Sequence, residues 1–447
     1  MDQQPVAAQD MQNRTRISQQ ELNAIIAKHE AWIDGRPNSG RANLKMHDLS
    51  RLDMSGRDLS GADLSGSLLF SCAMARTKLV GTNLFAADLR LANLEKADLQ
   101  RSDMRGVCLR GANLTGAMMV EADMRDGLLL RRVKNGEIAS MQEESVGAEL
   151  TCAVMRSANL SRAKLSSAFI MQTDLSDCVM RGTKFIGSNL TNAILTGADL
   201  TDADFTDANL SGAQLSGAVL SGASLAGANL SNAVLMGAIL EDADLTRANL
   251  TGAVISATLE ALGIELTEVI REHGEWINSG GAKGKRADFS TRDLREKKMK
   301  GVNLSAGLLH LATLTGADLQ ESAFTMADLS LADLRDANLQ NGDLRGINLD
   351  RATLTGANLK NANLSPMLIR TGAGQLWPAS LQKARLNRAN LQNADLHRAL
   401  LREANFVEAD LRGANLSETD LRECDFTGAR LDGADLAGAD TTDAIGI

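Results

Sequence analysis

Leucine, methionine, isoleucine or phenylalanine recurs at every fifth position over most of this chain of 447 residues. The pattern runs without interruption through four stretches, 44–129, 150–255, 289–369 and 381–436. A period of five matches neither the 3.6-residue turn of a helix nor the alternation of a simple strand. A short fixed period is typical of a solenoid, in which each unit buries its apolar face only by stacking on its neighbours.

The residues between the apolar centres are also regular. The residue two positions before each centre is usually Ala, Ser, Thr, Cys or Gly, and the residue directly before the centre is mostly Asp or Asn. Aromatic residues make up only 3% of the chain, and Tyr is absent. One medium and one small apolar side chain per unit therefore predict a narrow core, with turns at the Gly, Asn, Asp and Ser that follow.

The stretches "ADLTDADF" at 198–205 and "ANLSNAVL" at 228–235 show the unit most clearly. In this motif, A(D/N)LXX, the sequence resembles the pentapeptide-repeat family over roughly residues 42–440. The resemblance implies an all-β fold, a right-handed quadrilateral β-helix with four pentads in each coil. It also implies that the apolar centre and the small residue two before it point into the core.

The chain is also duplicated on a larger scale. The segment 22–44 matches 266–289, so that His29 corresponds to His273 and Trp32 to Trp276. A helix start is predicted before the first of these segments, because "SQQE" at 18–21 has the pattern of a capping box. We expect each array to be preceded by a short amphipathic α-helix that caps the open end of the solenoid, with these His and Trp residues as its structural core.

These patterns divide the chain into six segments. We expect a flexible N-terminal tail at 1–17, a capping helix and entry loop at 18–40, a first array at 41–255 with a loop insertion at 131–149, a linker and second helix at 256–285, a second array at 286–440 with a loop insertion at 370–380, and a C-terminal tail at 441–447. The two loops are either bulges on one face or matched projections that grip a partner, with Trp377 as an anchor.

No motif for chemistry is present in the sequence. The five cysteines lie far apart without a CxxC pair, the histidines are scattered, and nucleotide-binding, hydrolase and metalloprotease motifs are absent. We therefore predict a non-enzymatic protein without a cofactor or a metal. The formal net charge is −9 with Arg interleaved among the acids, so nucleic acid is not an expected partner. Without a targeting segment or a membrane-length apolar stretch, we expect a cytoplasmic protein that does not bind membranes.

Residues 20 positions apart stack in columns if a coil holds four pentads. Just before the centres in the second stretch, two columns carry aliphatic residues in place of Asp or Asn. The candidate interaction surface consists of Val154, Ile194, Val234 and Val254 in one column and Val179, Val219 and Ile239 in the next. These residues either reflect the strand preference of Val and Ile, or form an exposed patch for a partner, a second copy or the other half of the chain. We favour the patch, and predict that Val219→Asp with Ile239→Asp removes binding but leaves folding intact.

Three functions are compatible with these features. The first is a bacterial scaffold or adaptor that binds protein partners, with self-association into a homo-oligomer as one form of that binding. The resemblance supplies an alternative, because some pentapeptide-repeat proteins inhibit or protect DNA gyrase by resembling duplex DNA. The second alternative is an effector that acts on a host protein. The residues alone do not identify the partner.

Overall fold

The computed structural model describes residues 14–132, 138–259, 261, 263–369 and 375–447. The chain divides into two compact units, Met1–Val234 with Ala238–Val254, and Leu235–Gly237 with Ile255–Ile447. In each unit one α-helix precedes a stack of short parallel bridges.

Parallel bridges between residues 20 positions apart define the coils of both units. Asn43 pairs with Asp63 and Asp63 with Asn83, and each coil has four bridged positions of this kind. The longer strands are β1 (Thr15–Arg16), β2 (His47–Asp48), β3 (Gly127–Arg132), β4 (Ile138–Val146), β5 (Val234–Leu235), β6 (Val254–Ile255), β7 (Ala257–Thr258), β8 (Arg292–Asp293), β9 (Met367–Ile369) and β10 (Gln375–Trp377). Strands β1 and β2 pair in parallel, as do β7 and β8, whereas β3–β4 and β9–β10 are antiparallel hairpins. Strand β5 pairs with β6.

The core of each coil contains the apolar centre and the small residue two positions before it. Leu59 and Ala62, for example, are fully buried. Where the small position is polar, its side chain donates to a main-chain carbonyl of the preceding coil, as Thr77 does to Met54 at 2.9 Å. Phenylalanine occupies some centres as a stacked pair, as Phe185 and Phe205 do at 4.8 Å between centroids, and others next to leucine centres, as the fully buried Phe324 does. The narrow core therefore satisfies its polar groups and holds an aromatic ring only at a few centres.

The hydrogen bonds between coils have a direction. In the first unit the N–H of Leu44 donates to Asp63 and that of Met46 to Ser65, both in the following coil, whereas the N–H of Asp63 donates back to Ala42. Two of every three N–H groups between coils thus point toward the C-terminal end of the array. An uncovered C-terminal end consequently has an excess of unpaired donors, like the N-terminus of an α-helix.

Helix α1 (Gln19–Ile33) covers the N-terminal end of the first unit. It begins with the Ser18–Glu21 capping box and buries Leu22, Ile26 and His29. The side-chain amide of Gln19 exchanges two hydrogen bonds of 2.8 Å with the main chain of Asp53, as a neighbouring strand would. The first coil therefore has side-chain and strand partners for edge groups that would otherwise be unpaired.

Helix α2 (Leu266–Asn278) precedes the coils of the second unit with fewer contacts. Its N-cap residue, Glu265, makes no side-chain cap hydrogen bond, and His273 is its one fully buried residue. The residue that corresponds to Glu30 is Gly274, so α2 has no counterpart to the bidentate ion pair of Glu30 with Arg57 at 2.8 and 2.9 Å. At this position α2 thus lacks the ion pair that holds α1 to its coil.

Several boundaries differ from those expected from the sequence. Thr15 and Arg16, expected in a flexible tail, form β1 on the edge of the first coil, whereas residues 1–13 lie outside the described residues. At the other end, Ile445 pairs with Asp425, so the coils continue into the expected C-terminal tail. At both places residues outside the predicted array pair with an open edge, and the five-residue period does not report this.

The two insertions also begin earlier than expected. They are hairpins that start at Gly127 and Met367, and coils resume at Glu149, which pairs with Cys108, and at Ser380, which pairs with Asn348. The apolar residues at positions 129 and 369 keep the five-residue spacing although they lie in hairpin strands. For this reason the period alone placed both starts too late.

Candidate interaction surfaces

The two buried histidines join each helix to its first coil. In the first unit the N–H of Ala42 donates to Nδ1 of His29 at 3.0 Å, so Nε2 carries the proton and donates to the carbonyl of Ser60 at 3.1 Å. In the second unit the N–H of Ala287 donates to Nδ1 of His273, also at 3.0 Å. Burial lowers the pKa of both imidazoles. Both rings are therefore held neutral, because a protonated Nδ1 could not accept the amide hydrogen.

The tryptophans expected in the caps lie over these histidines. Trp32 stacks on His29 with 5.5 Å between ring centroids, and Trp276 on His273 with 5.6 Å. Trp276 is half-buried, whereas Trp32 is 44% exposed. Each indole thus shields an imidazole from water on one side and presents its other side to solvent.

The residue before each apolar centre stabilises the local main chain by a hydrogen bond when it is Asp or Asn. Its side-chain oxygen accepts the N–H two residues later, as Asp63 does from Ser65 at 3.0 Å and Asp204 from Thr206 at 3.1 Å. Stacked amides add bonds between coils, as between Asn229 and Asn209 at 3.2 Å. A Val or Ile at this outward position cannot accept either bond.

Four of the predicted surface residues are exposed in the first unit. The exposed fractions are 37% for Val154, 36% for Val179, 38% for Ile194 and 46% for Val254, whereas Val234 is half-buried. Val154 and Ile194 belong to one column, with Asp174 between them. Arg156 forms an ion pair with that aspartate. These two aliphatic side chains therefore flank a paired charge on one face.

The expected exposure of Val219 and Ile239 is wrong. They are only 9% and 3% exposed. An outward position faces water only where nothing packs on that side of the coil, and aliphatic side chains gain from such burial. The period separates outward from inward positions but does not show which outward faces are covered.

Two exposed outward residues were missed by the sequence prediction. Met118 is 38% exposed and Phe169 is 41% exposed, and both replace the usual Asp or Asn. Phe169 precedes Asn189 in the column that continues as the amide ladder. The same signal, an apolar residue just before a centre, would have identified both.

The second hairpin exposes a further apolar group. Trp377 is 48% exposed, and its neighbours Leu368 and Leu376, which pair across the hairpin, are 49% and 44% exposed. A Cβ added to Gly346 would lie 3.0 Å from Cδ1 of Trp377, so the indole rests on the coil at that glycine. The predicted anchor thus has one side against the main chain of a coil and leaves nearly half of its surface to solvent.

The nearest approach to a catalytic arrangement is a structural bridge. His310 Nδ1 lies 2.8 Å from Oγ of Ser330, but the hydroxyl donates its proton to Asp328 at 2.7 Å and so is not activated by the imidazole. The pair His397 and Ser417 repeats this geometry with an asparagine in place of the aspartate. A hydroxyl that accepts from a histidine and donates to a ladder residue at two places in the second unit has a structural use.

Other reactive groups are dispersed over the part of the chain that the structure describes. The five cysteines are free thiols, and burial raises the pKa of Cys72 and Cys424 to about 12. Within the described ranges no group of His, Cys, Asp and Glu could hold a metal ion. An open cavity of about 310 Å³ is lined by Arg105, Arg125, Asp126, Ser166 and Ser167. Both of its arginines already form ion pairs with neighbouring aspartates.

Comparison with known families supports the repeat assignment. The family described as pentapeptide repeats (8 copies) matches residues 48–84, 87–126, 146–177, 173–212, 213–252, 298–336, 332–365, 379–417 and 404–440, which is well over half of the chain. No curated protein shows significant similarity to the sequence. Neither helix in the described ranges has the length and apolar character needed to span a membrane.

Three solved structures are similar to parts of the chain. HetL, a pentapeptide repeat protein involved in heterocyst differentiation regulation from the cyanobacterium Nostoc sp. strain PCC 7120, is 33% identical, covers 50% of this chain and 93% of its own, and has a TM-score of 0.22. A pentapeptide repeat protein from the thylakoid lumen of Arabidopsis thaliana is 35% identical over 23% and 67% of the two chains, with a TM-score of 0.16. QnrB1, a plasmid-mediated fluoroquinolone resistance protein, is 22% identical over 48% and 86%, with a TM-score of 0.23.

Proposed function

Because the chain belongs to the pentapeptide-repeat family, we propose that it is a non-enzymatic scaffold that binds other proteins. Its binding surfaces are the outward aliphatic residues of the first unit and the exposed side chains of the two strands of the second hairpin. The proposal takes from the family the right-handed, four-sided form of the coil. It assigns the two helices the role of end caps.

The observation that carries the proposal is that Val154 and Ile194 are unfavourable in two ways in the isolated chain. Each is more than one third exposed at a position where Asp or Asn accepts a hydrogen bond from the main chain. The aliphatic residue therefore loses a bond with a typical net contribution of about 0.5–1.5 kcal/mol, and it also places apolar surface in water. A partner that covers this face would remove the second disadvantage.

The hairpin supplies a second contact of a kind common in interfaces. Tryptophan and leucine bury large apolar areas, and tryptophan is enriched among the residues that contribute most to binding. Trp377 lies against Gly346, which restricts its ring before a partner arrives. A restricted anchor loses less conformational entropy on binding than a free one.

Affinity purification from the native host with mass spectrometry tests the proposal. We expect the wild-type chain to recover a partner, or a second copy in light scattering, that Val154→Asn with Ile194→Asn does not recover. Asparagine restores the hydrogen bond typical of this position, so the variant should remain folded. Gln214→Asn is the matched control, because Gln214 is an exposed polar residue of the same column. Equal recovery by all three proteins, with unchanged molecular mass, would contradict the proposal.

A further inference from the structure

The last coil of the first unit leaves its core open. Leu210 and Leu230 are fully buried in their coils, but Leu250, the next centre of the same column, is 42% exposed. Leu245 is half-buried, although its counterpart Leu225 is fully buried. Inward-facing side chains of this coil therefore form an apolar surface at the end of the stack.

The main chain of this coil is open as well. Counterparts in earlier coils donate forward, as the N–H of Leu230 does to Asn249 at 2.8 Å. Among the residues that the structure describes, none accepts from the N–H of Leu245 or Leu250. At the opposite end of the unit, α1 buries Leu22 and Ile26 against the first coil. The last coil thus exposes apolar side chains of the kind that α1 covers at the first, together with main-chain donors.

The wall beside this end carries an excess of acidic residues, with Arg247 as the one basic residue between 236 and 255. From residue 185 to residue 246 the sequence contains no Lys or Arg. Its acidic residues are Asp199, Asp202, Asp204, Asp207, Glu241, Asp242 and Asp244. Asp199 is paired with Arg181 of an earlier coil. Asp204 and Asp244 belong to one column two coils apart, roughly 10 Å at the usual strand spacing. Acidic side chains therefore lie in two of the last three coils, at 199–207 and at 241–244, and residues 208–240 between them carry no charge.

We infer that this end of the first unit binds a cationic amphipathic segment of a partner protein. The inference rests on the proposed function and specifies one of its surfaces. The apolar face of the segment covers Leu245 and Leu250, in the manner of α1 at the other end, and its Lys and Arg residues lie beside Asp242 and Asp244. Complementary charge increases the association rate and excludes partners of like charge.

A second copy of this end is the less suitable occupant. Two such ends facing each other would bring Asp242 and Asp244 of both copies together, and like charges in an interface are costly. Their main-chain groups would also meet as donors facing donors. A basic segment meets these aspartates with opposite charge.

Fluorescence anisotropy with the full chain tests the inference. The probe is a fluorescein-labelled amphipathic peptide of Leu and Lys, and the reference is the same peptide with Glu in place of Lys. We expect the Lys peptide alone to bind, with affinity that falls as salt rises. Asp242→Asn with Asp244→Asn, and separately Leu250→Ser, should each raise its Kd at least tenfold. The matched control, Asp63→Asn with Asp98→Asn, removes the same charge from earlier coils and should change Kd less than twofold.

The outcomes separate this inference from the proposed function. Absence of Lys-peptide binding, or equal loss in the control and in the Asp242 and Asp244 variant, would overturn the inference. Stronger binding of the Glu peptide would also overturn it. In each of these cases the scaffold proposal would still be supported if the variant Val154→Asn with Ile194→Asn failed to recover the host partner that the wild-type chain recovers. Circular dichroism of Leu250→Ser checks that its coils are intact. If the coils of this variant are disrupted, Asp242→Asn with Asp244→Asn tests the inference instead.

Discussion

Replacement of Gly222 by alanine tests the stacking of the coils most sharply. Gly222 is a corner residue with φ +67°, and a Cβ added there would lie 2.5 Å from Oδ1 of Asp202, the corner residue one coil earlier. A contact that short requires the aspartate to move. Gly187 is the matched site, because its φ is +63° and an added Cβ would meet nothing within 4 Å.

The expected effects follow from these two geometries. Alanine in the left-handed region costs about 1–2 kcal/mol, which is the whole effect expected for Gly187→Ala. Gly222→Ala adds the cost of turning the exposed side chain of Asp202 aside, about 0.5–1.5 kcal/mol. In an Asp202→Ala background the obstructing oxygen is gone. Gly222→Ala should then destabilise by no more than Gly187→Ala does.

Hydrogen exchange of the flanking amides, combined with urea unfolding followed by circular dichroism, measures both effects. Local exchange is the primary readout, because long repeat arrays need not unfold in one step. The double-mutant cycle of residues 202 and 222 should give a coupling of about 0.5–1.5 kcal/mol. A coupling near zero, or equal destabilisation by Gly187→Ala and Gly222→Ala, would refute the account of corner packing.

Three further predictions concern burial, pH and the first cap. Ile239→Asp should destabilise the chain by several kcal/mol in urea unfolding, because it buries an unpaired charge, whereas Val154→Asp should change stability little. His29 has a pKa lowered by burial. The unfolded imidazole titrates near its ordinary value of about 6.5. The stability that the neutral His29 contributes should therefore be fully present above that pH. It should be lost as the pH falls through the lower pKa of His29 in the folded state. His29→Gln should reduce this dependence in melting curves between pH 7.5 and 5. Gln19→Ala should speed exchange of the Asp53 amide, which loses its acceptor.

Features set by local spacing could be predicted from the sequence. The five-residue period requires stacked pairs 20 residues apart, and bridges occur at that spacing, as between Asn209 and Asn229. The capping box of Ser18 and Glu21 forms as the pattern indicated. Membership of the pentapeptide-repeat family, inferred from the same motif, is confirmed. Each of these features depends on residues that are close in sequence or related by a fixed repeat.

Features set by non-local packing could not be predicted in this way. Val179 and Ile239 have the same chemistry and share one column, yet the first is 36% exposed and the second 3%. Their difference arises from what covers each face, which a repeat of five residues does not encode. The same limit explains β1, whose residues carry no repeat and are ordered by the edge on which they lie.

Covalent footprinting of the chain in complex with the partner recovered from its host tests the central claim most directly. The scaffold proposal predicts reduced labelling at Val154, Ile194, Leu376 and Trp377 in the complex relative to the free chain. It predicts unchanged labelling at Asn209 and Asn229, which belong to a polar ladder of the same unit. Protection confined to the polar ladder, with the aliphatic column and the hairpin labelled as in the free chain, would contradict the account.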